Sequence, residues 1–135
     1  MLNNFLYTMM PWSILFLRIA LGAIFIVHGM PKLKNSATMA AGMGMTASMV
    51  WAVGLAETVG GISVLVGLLA HIGALAIAVV MGGALHYKIN KWNVPFSAMD
   101  KMGWEFDLIL LAAALAIATV GAGTLSLDWM VFGMY

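Results

Sequence analysis

The sequence predicts an all-α membrane protein, an antiparallel bundle of four transmembrane helices. Of its 135 residues, 64% are hydrophobic and only 8% are charged, whereas soluble domains carry roughly 25% charged residues. Such a chain cannot cover itself with a polar surface, so the bilayer must be its solvent. The apolar residues form four long runs without the alternating pattern of barrel strands. Backbone polar groups cannot stay unpaired in lipid, so these runs predict helices.

The predicted spans cover residues 12–27, 49–69, 72–87 and 104–120 and together form a single transmembrane domain over residues 1–135. Each is close to the ~20 residues that cross ~30 Å of hydrocarbon. Only Ala70 and His71 separate the second span from the third, which predicts an antiparallel hairpin. His71 is predicted to be a turn residue without a partner. Between the first two spans we expect a short interfacial or re-entrant helix with Ser36 as its N-cap.

The positive charges predict the orientation of the bundle. All five lysines fall in the first and third connections: Lys32, Lys34, Lys88, Lys91 and Lys101. Cytoplasmic loops carry an excess of Lys and Arg, so these connections are predicted to be cytoplasmic and both termini to be outside. The lysines stand singly and form no basic stripe, which argues against a nucleic-acid partner.

Two charges of opposite sign lie inside the predicted spans. Arg18 lies about 15 Å inside the cytoplasmic end of the first span, and Glu57 about 12 Å inside that of the second. A lone charge at such a depth costs at least ~2.5 kcal/mol, so we expect Arg18 and Glu57 to form a buried salt bridge. Two interpretations stay open: the pair only fixes helix register, or it lines a pocket for a polar ligand such as a quinone head group.

A second polar cluster is predicted at the cytoplasmic rim, with members on three helices: His28, His86, Tyr87 and Glu105. On the fourth helix Glu105 shares one face with Ile109, Ala112 and Ala116, while Asp107 points about 200° away, so Glu105 is the carboxylate expected to face the bundle. The cluster could ligate haem or a metal, exchange protons with a quinone, or be structural. No metal-ligand spacing is present, and a quinone is favoured over haem.

The chain contains no cysteine. Thiolate catalysis, iron–sulfur ligation and disulfide exchange are therefore excluded for this chain by itself. It also lacks a phosphate-binding loop, a dinucleotide fingerprint and the HExxH motif. We accordingly predict no catalytic residues and no metal site.

Several stretches together carry a family resemblance: LRIALGAIFIVHGMPKL over 17–33, ETVGG over 57–61, His86, Glu105, and GAGTLSLD over 121–128. They resemble the pattern of the DoxX family over nearly the whole chain. Five further positions match the pattern besides the charged and rim residues already named: Gly29, Lys32, Gly61, Ser126 and Asp128.

The resemblance implies a four-helix protein of prokaryotic cytoplasmic membranes, in a family named for a subunit of a terminal quinol oxidase. It therefore predicts a membrane subunit or accessory protein of a quinone-linked redox complex, an anchor rather than an enzyme by itself. Its expected partners are the lipid bilayer and other subunits or further copies of the chain. The alternatives are a non-catalytic membrane scaffold and, less favoured, a transporter of small solutes or lipids.

Overall fold

The computed structural model describes the backbone of residues 2–134 and the side chains of residues 4–134. It contains six α-helices: α1 Leu2–Lys34, α2 Ser36–Met43, α3 Ala47–Val66, α4 Ala70–His86, α5 Trp104–Val120 and α6 Leu127–Phe132. A π-helical turn, Tyr87–Lys91, continues α4. The described residues include no strand, which confirms the all-α prediction.

Three segments are long and apolar enough to cross a membrane: Asn4–Lys34, Ala47–Val66 and Ala70–Lys91. They contain the first three predicted spans almost entirely. Helix α5 occupies the fourth predicted position and has 17 residues. The chain is thus a membrane protein with at least three helices of spanning length.

Helix α1 extends past the predicted first span at both ends. Its 33 residues include Pro11 and Pro31 and correspond to about 50 Å of helix. Proline usually marks a helix end because it lacks the amide hydrogen. In lipid, however, breaking the helix at a proline would leave several backbone groups without hydrogen bonds, whereas keeping it helical loses only the one bond that the proline cannot donate. The helix therefore continues through both prolines.

Helices α1 and α3 run antiparallel and approach each other at glycines. A Cβ atom added to Gly61 would lie 2.9 Å from the Gly22 carbonyl oxygen, and one added to Gly54 would lie 3.0 Å from that of Gly29. Small residues let backbones approach where lipid removes the hydrophobic drive for association. These two contacts fix the register and place Glu57 level with about residue 26 of α1.

Helices α3 and α4 form the predicted hairpin, but its turn lies earlier than expected. Gly67 ends α3 with a φ of 71°, and Leu69 precedes α4 with a φ of 51°. His71 therefore lies inside α4, and its Nδ1 is 2.9 Å from the carbonyl oxygen of Ala118 on α5. The prediction of His71 as a turn residue without a partner was wrong, because the last residues of the predicted second span form the turn.

The core lies among α1, α3, α4 and α5, where Phe25, Val64, Ile77 and Ile117 are almost completely buried. The short helix expected between the first two spans is α2, which packs against α3. Its N-cap is Asn35 and not Ser36, which is already the first helical residue.

Candidate functional site

Arg18 and Asp128 are the most buried charged residues of the described chain, each with 1% of its surface exposed. The Arg18 guanidinium donates to four backbone carbonyl oxygens: Val64 at 2.9 Å, Leu65 at 3.0 Å, Ala122 at 2.9 Å and Leu125 at 2.8 Å. Four of the five N–H groups of the guanidinium are thus used. A planar fork of donors is well suited to such a set of acceptors, whereas an ammonium group is not.

The carbonyls that Arg18 binds explain its burial. Val64 and Leu65 belong to the last turn of α3, where carbonyl groups lack helical donors. A cation at this end also interacts favourably with the helix dipole. Ala122 and Leu125 lie in the irregular segment that follows α5, so Arg18 attaches that segment to the end of α3.

Asp128 acts on the other helix of the same hairpin. Its carboxylate accepts from the backbone amides of Leu69 at 2.7 Å and Ala70 at 2.9 Å, at the start of α4. Its own amide donates to the Gly67 carbonyl at 2.7 Å. An anion at a helix N-terminus is favourable for the same reason that a cation is at a C-terminus. We call Arg18 and Asp128 together the hairpin-tip clamp.

Ser126 shapes the segment that carries these contacts. Its hydroxyl accepts from the Trp129 amide at 3.1 Å, which caps α6, and donates to the Gly123 carbonyl at 2.5 Å. Gly67 must remain small there, because an added Cβ would lie 2.7 Å from the Cβ of Ser126. Both family-motif residues of this region, Ser126 and Asp128, therefore act on the tip of the hairpin.

The predicted salt bridge between Arg18 and Glu57 does not form. The glycine contacts place Glu57 level with about residue 26 of α1, some eight residues or ~12 Å along the helix from Arg18. The prediction was wrong because it counted depth from His28, whereas α1 continues to Lys34. Arg18 consequently lies level with the hairpin turn and not in the middle of α3.

Glu57 instead forms a salt bridge with Lys32, across the contact between α1 and α3. The carboxylate side chain is 3% exposed and the lysine side chain 15%. Lys32 reaches inward over Gly54, where an added Cβ would lie 2.7 Å from the lysine Cβ. The Lys32–Glu57 pair thus joins a buried acceptor to a partly exposed donor. It lies toward the end of the bundle that carries Lys32, Lys34, Lys88 and Lys91, which we call the lysine-bearing end.

Gly29 and Thr58 lie beside this pair. A Cβ added to Gly29 would come 2.8 Å from the Thr58 amide nitrogen and equally close to the Gly54 carbonyl oxygen. The Thr58 hydroxyl oxygen is buried and has no hydrogen-bond partner in the structure. Gly29 and Gly61, both family-motif positions, therefore serve the close approach of α1 and α3.

The predicted rim cluster is divided: His86 and Tyr87 contact each other, whereas His28 and Glu105 have other partners. His28 is exposed and donates from Nδ1 to the Ile24 carbonyl of its own helix at 2.8 Å. His86 is exposed too, and its Nδ1 lies 3.2 Å from Nδ2 of Asn90. Tyr87 meets the His86 ring edge-on at 6.2 Å, with the Lys91 ammonium 5.0 Å from the tyrosine ring centre.

Glu105 and Asp107 exchange the roles that were predicted for them. Asp107 is 7% exposed and forms a salt bridge with Lys88 at 2.5 Å. Glu105 is only half-buried, and its Oε1 accepts from Ser97 at 3.0 Å. The predicted face of α5 was wrong: the buried stripe runs through Asp107, Leu110, Ala114 and Ile117, while Ala112 and Ala116 are exposed.

A wide cleft of about 570 Å³ opens beside Glu105, between the start of α5 and the loop of residues 98–103. The second carboxylate oxygen of Glu105 is buried without a hydrogen-bond partner. In the described part of the chain, no three His, Asp or Glu side chains converge in a way that could hold a metal ion.

From the sequence, Lys32 was assigned as a motif position and an orientation-setting charge, and Lys88 as an orientation-setting charge; neither was predicted to form an ion pair. A signal for Lys32 was present, because it continues the three- and four-residue spacing of Phe25 and Gly29 along the face of α1 that packs on α3. Lys88 follows α4 in the π-helical turn, which periodicity does not predict. The ammonium groups of both residues reach inward and bind buried carboxylates.

Two comparisons with known proteins give a match. The family model for DoxX matches residues 13–91. A protein of Bacillus subtilis (strain 168), described as "Putative oxidoreductase CatD", is 31% identical over 121 residues, covering 87% of this chain and 86% of the relative. No solved structure gives a significant match. On the family match and this relative, the chain belongs to the DoxX family.

Proposed function

We propose that this chain is a membrane subunit or accessory protein of a quinone-linked redox complex in a prokaryotic cytoplasmic membrane. The word oxidoreductase in the name of the Bacillus relative supports the redox role. The observation that carries the proposal is the Lys32–Glu57 pair, a proton donor and a proton acceptor buried between two helices of spanning length. Buried ionisable groups in membranes commonly mark ligand or proton sites.

In this proposal α5 is the fourth span and the bundle is antiparallel throughout. Helix α5 has the same length as α4 and packs along it, with Ala118 near its end opposite His71 near the start of α4. Lys91 donates to the Gly44 carbonyl at 3.3 Å, so the first and third connections meet at one end. That end carries the lysines and is the cytoplasmic side, with both termini outside.

The proposed quinone contact is made at Lys32 and Glu57. The lysine ammonium can donate to a quinone carbonyl oxygen, and the Glu57 carboxylate can accept the proton of a quinol hydroxyl. Arg18 is excluded from this contact because four of its N–H groups already bind backbone carbonyls. The head group would approach from the lysine-bearing end, where the Lys32 side chain is partly exposed.

The test compares Lys32→Met and Glu57→Gln with Lys34→Met, an exposed lysine on the same helix, in a strain from which the gene has been deleted. The assay is quinol-dependent electron transfer in isolated membranes, normalised to the amount of the chain. We expect both pair variants to lower the rate at least several-fold and the control to leave it unchanged. Normal rates in both pair variants would refute the quinone contact.

A non-catalytic scaffold is the second candidate. It is favoured by the mutual neutralisation of Lys32 and Glu57 and by their position in the glycine-lined contact of α1 with α3. Exchanging the two charges, with Lys32→Glu and Glu57→Lys together, separates the candidates. A scaffold should tolerate the exchange, because the two charges still neutralise each other. A quinone contact should not, because the donor then lies at the former depth of the acceptor and the acceptor at that of the donor.

A further inference from the structure

Two exposed tryptophans, one on α1 and one on α3, lie at opposite ends of the hydrocarbon. Trp12 is 52% exposed and Trp51 is 47% exposed. Gly54 faces Gly29 across the antiparallel contact, so Trp51 is level with about residue 32 of α1. Trp12 and Trp51 are thus separated along the bundle by about 20 residues or ~30 Å, the hydrocarbon thickness of a bilayer. Tryptophan side chains prefer the two membrane–water interfaces, so these residues mark both surfaces of the hydrocarbon.

The tip of the α3–α4 hairpin lies between these two surfaces. By the same register Gly67, which ends α3, is level with about residue 16 of α1. That level is four residues, or ~6 Å, inward from Trp12. The Asp128 amide donates to the Gly67 carbonyl at 2.7 Å, so α6 begins at the same depth. Both the tip and the start of α6 are therefore on the hydrocarbon side of Trp12.

The turn at the tip is apolar. Residues 66–70 read VGLLA, and Leu68 and Leu69 are 37% and 50% exposed. Turns in water favour Gly, Asn, Asp and Ser. Leu69 also has a φ of 51°, a conformation in which Asn and Asp are enriched over other non-glycine residues. Exposed leucines in a turn are unfavourable in water and favourable in hydrocarbon.

The backbone groups of the tip have hydrogen-bond partners within the protein. The donors are the Arg18 guanidinium, the Ser63 hydroxyl and the Asp128 amide, and their carbonyl acceptors are Val64, Leu65, Gly67, Leu68 and Leu69. The Asp128 carboxylate accepts from the two amides at the start of α4. In lipid such groups cannot be hydrated. Ser63 and the hairpin-tip clamp thus supply the hydrogen bonds that water would supply to a turn outside the bilayer.

Helix α6 has no polar face for water. Asp128 is buried, and the other five side chains of the helix are apolar and 37% to 77% exposed: Leu127, Trp129, Met130, Val131 and Phe132. A helix that lies in the plane of the interface carries a polar face opposite its apolar one. We infer that the hairpin tip and α6 are embedded in the bilayer, and that the exposed face of α6 contacts lipid acyl chains. This embedding is independent of the proposed redox role.

Spin labels test the depth and the cover together, because the sequence contains no cysteine and each label binds a single introduced thiol. Leu69→Cys labels the tip and Met130→Cys the face of α6; both native side chains are exposed, so the label displaces no packed group. Asn4→Cys is the control for water, since Asn4 is exposed on α1 eight residues or ~12 Å beyond Trp12. Val79→Cys in the middle of α4 is the control for lipid, because Val79 is 71% exposed and Met130 is 77% exposed.

The purified variants are reconstituted in vesicles of phosphatidylcholine and phosphatidylglycerol. Power saturation in electron paramagnetic resonance then measures how often each label collides with oxygen, which concentrates in lipid, and with a nickel chelate, which stays in water. We expect the labels of Leu69→Cys and Met130→Cys to meet oxygen as often as that of Val79→Cys. They should meet the nickel chelate several-fold less often than that of Asn4→Cys.

Two other outcomes would overturn the inference. Frequent collision with the nickel chelate at either position would place that position in water. Rare collision with both probes at Met130→Cys would show that protein and not lipid covers α6, and in these vesicles that protein is a second copy of the chain.

Discussion

Replacing Arg18 tests the hairpin-tip clamp at the side chain that makes four of its hydrogen bonds. Arg18→Ala removes the donors for four carbonyl oxygens, two at the end of α3 and two after α5. It also leaves the buried Asp128 carboxylate without the cation that accompanies it at the hairpin tip. The variant should therefore loosen the end of α3 and the segment after α5 together.

The expected loss follows from these contacts. A hydrogen bond to a charged group contributes about 1.5–3 kcal/mol, but bonds that share one side chain do not add fully. Removing one member of a buried charge network typically costs about 3–5 kcal/mol, and we expect Arg18→Ala to fall in that range. Arg18→Lys should lose about half as much, since one ammonium keeps the charge but cannot reach all four carbonyls.

The free energy of unfolding can be measured by titrating mixed micelles with a denaturing detergent and following tryptophan fluorescence. Lys34→Ala is the control, because Lys34 is exposed at the far end of the same helix. A loss below about 1 kcal/mol for Arg18→Ala would refute the clamp. So would full stability of Arg18→Lys, because charge alone would then account for the effect of Arg18.

Three further predictions use the same measurement. Asp128→Asn should cost about 0.5–2 kcal/mol, since it weakens the cap at the start of α4; an unchanged value would contradict that role. Gly61→Leu should lower the free energy of unfolding by more than about 2 kcal/mol, because the larger side chain separates α1 from α3. Gly82→Ala is its control, since an added Cβ meets nothing within 4 Å there, and it should be neutral or gain up to about 1 kcal/mol. Lys32→Met should cost about 3–5 kcal/mol, because it leaves the buried Glu57 carboxylate without its cation. Adding Glu57→Gln removes that charge and should restore most of the loss; additive losses would argue against the pair.

The fold was largely predictable because apolar runs in a lipid-soluble chain leave few alternatives to helices. The limits of those helices were not. The predicted first span covers residues 12–27, between Pro11 and His28, but α1 continues on both sides, from Leu2 to Lys34. That difference shifted Arg18 by about two turns relative to α3 and led to the wrong partner for it.

The site was harder to predict because its main acceptors are backbone atoms. The pattern of residue types identifies Arg18 as a buried charge but says nothing about free carbonyls at the end of α3. The Asp128 contact with α4 joins residues 58 and 59 positions apart in the chain. Neither contact leaves a periodic signal. Asp107 was misplaced because the face of α5 that carries Ala112 and Ala116 was taken to be the packed one, whereas both alanines are exposed.

The proposed redox partnership is tested most directly by isolating the chain with whatever it binds. A C-terminally tagged copy, expressed at its natural level and extracted with a gentle detergent, should bring down subunits of an oxidoreductase together with stoichiometric quinone. The same preparation of the Lys32→Met, Glu57→Gln double variant, which leaves no charge unpaired, should retain the subunits and lose the quinone. A chain that is recovered without oxidoreductase subunits and without quinone, although the tagged copy complements the deletion strain, would contradict the proposal.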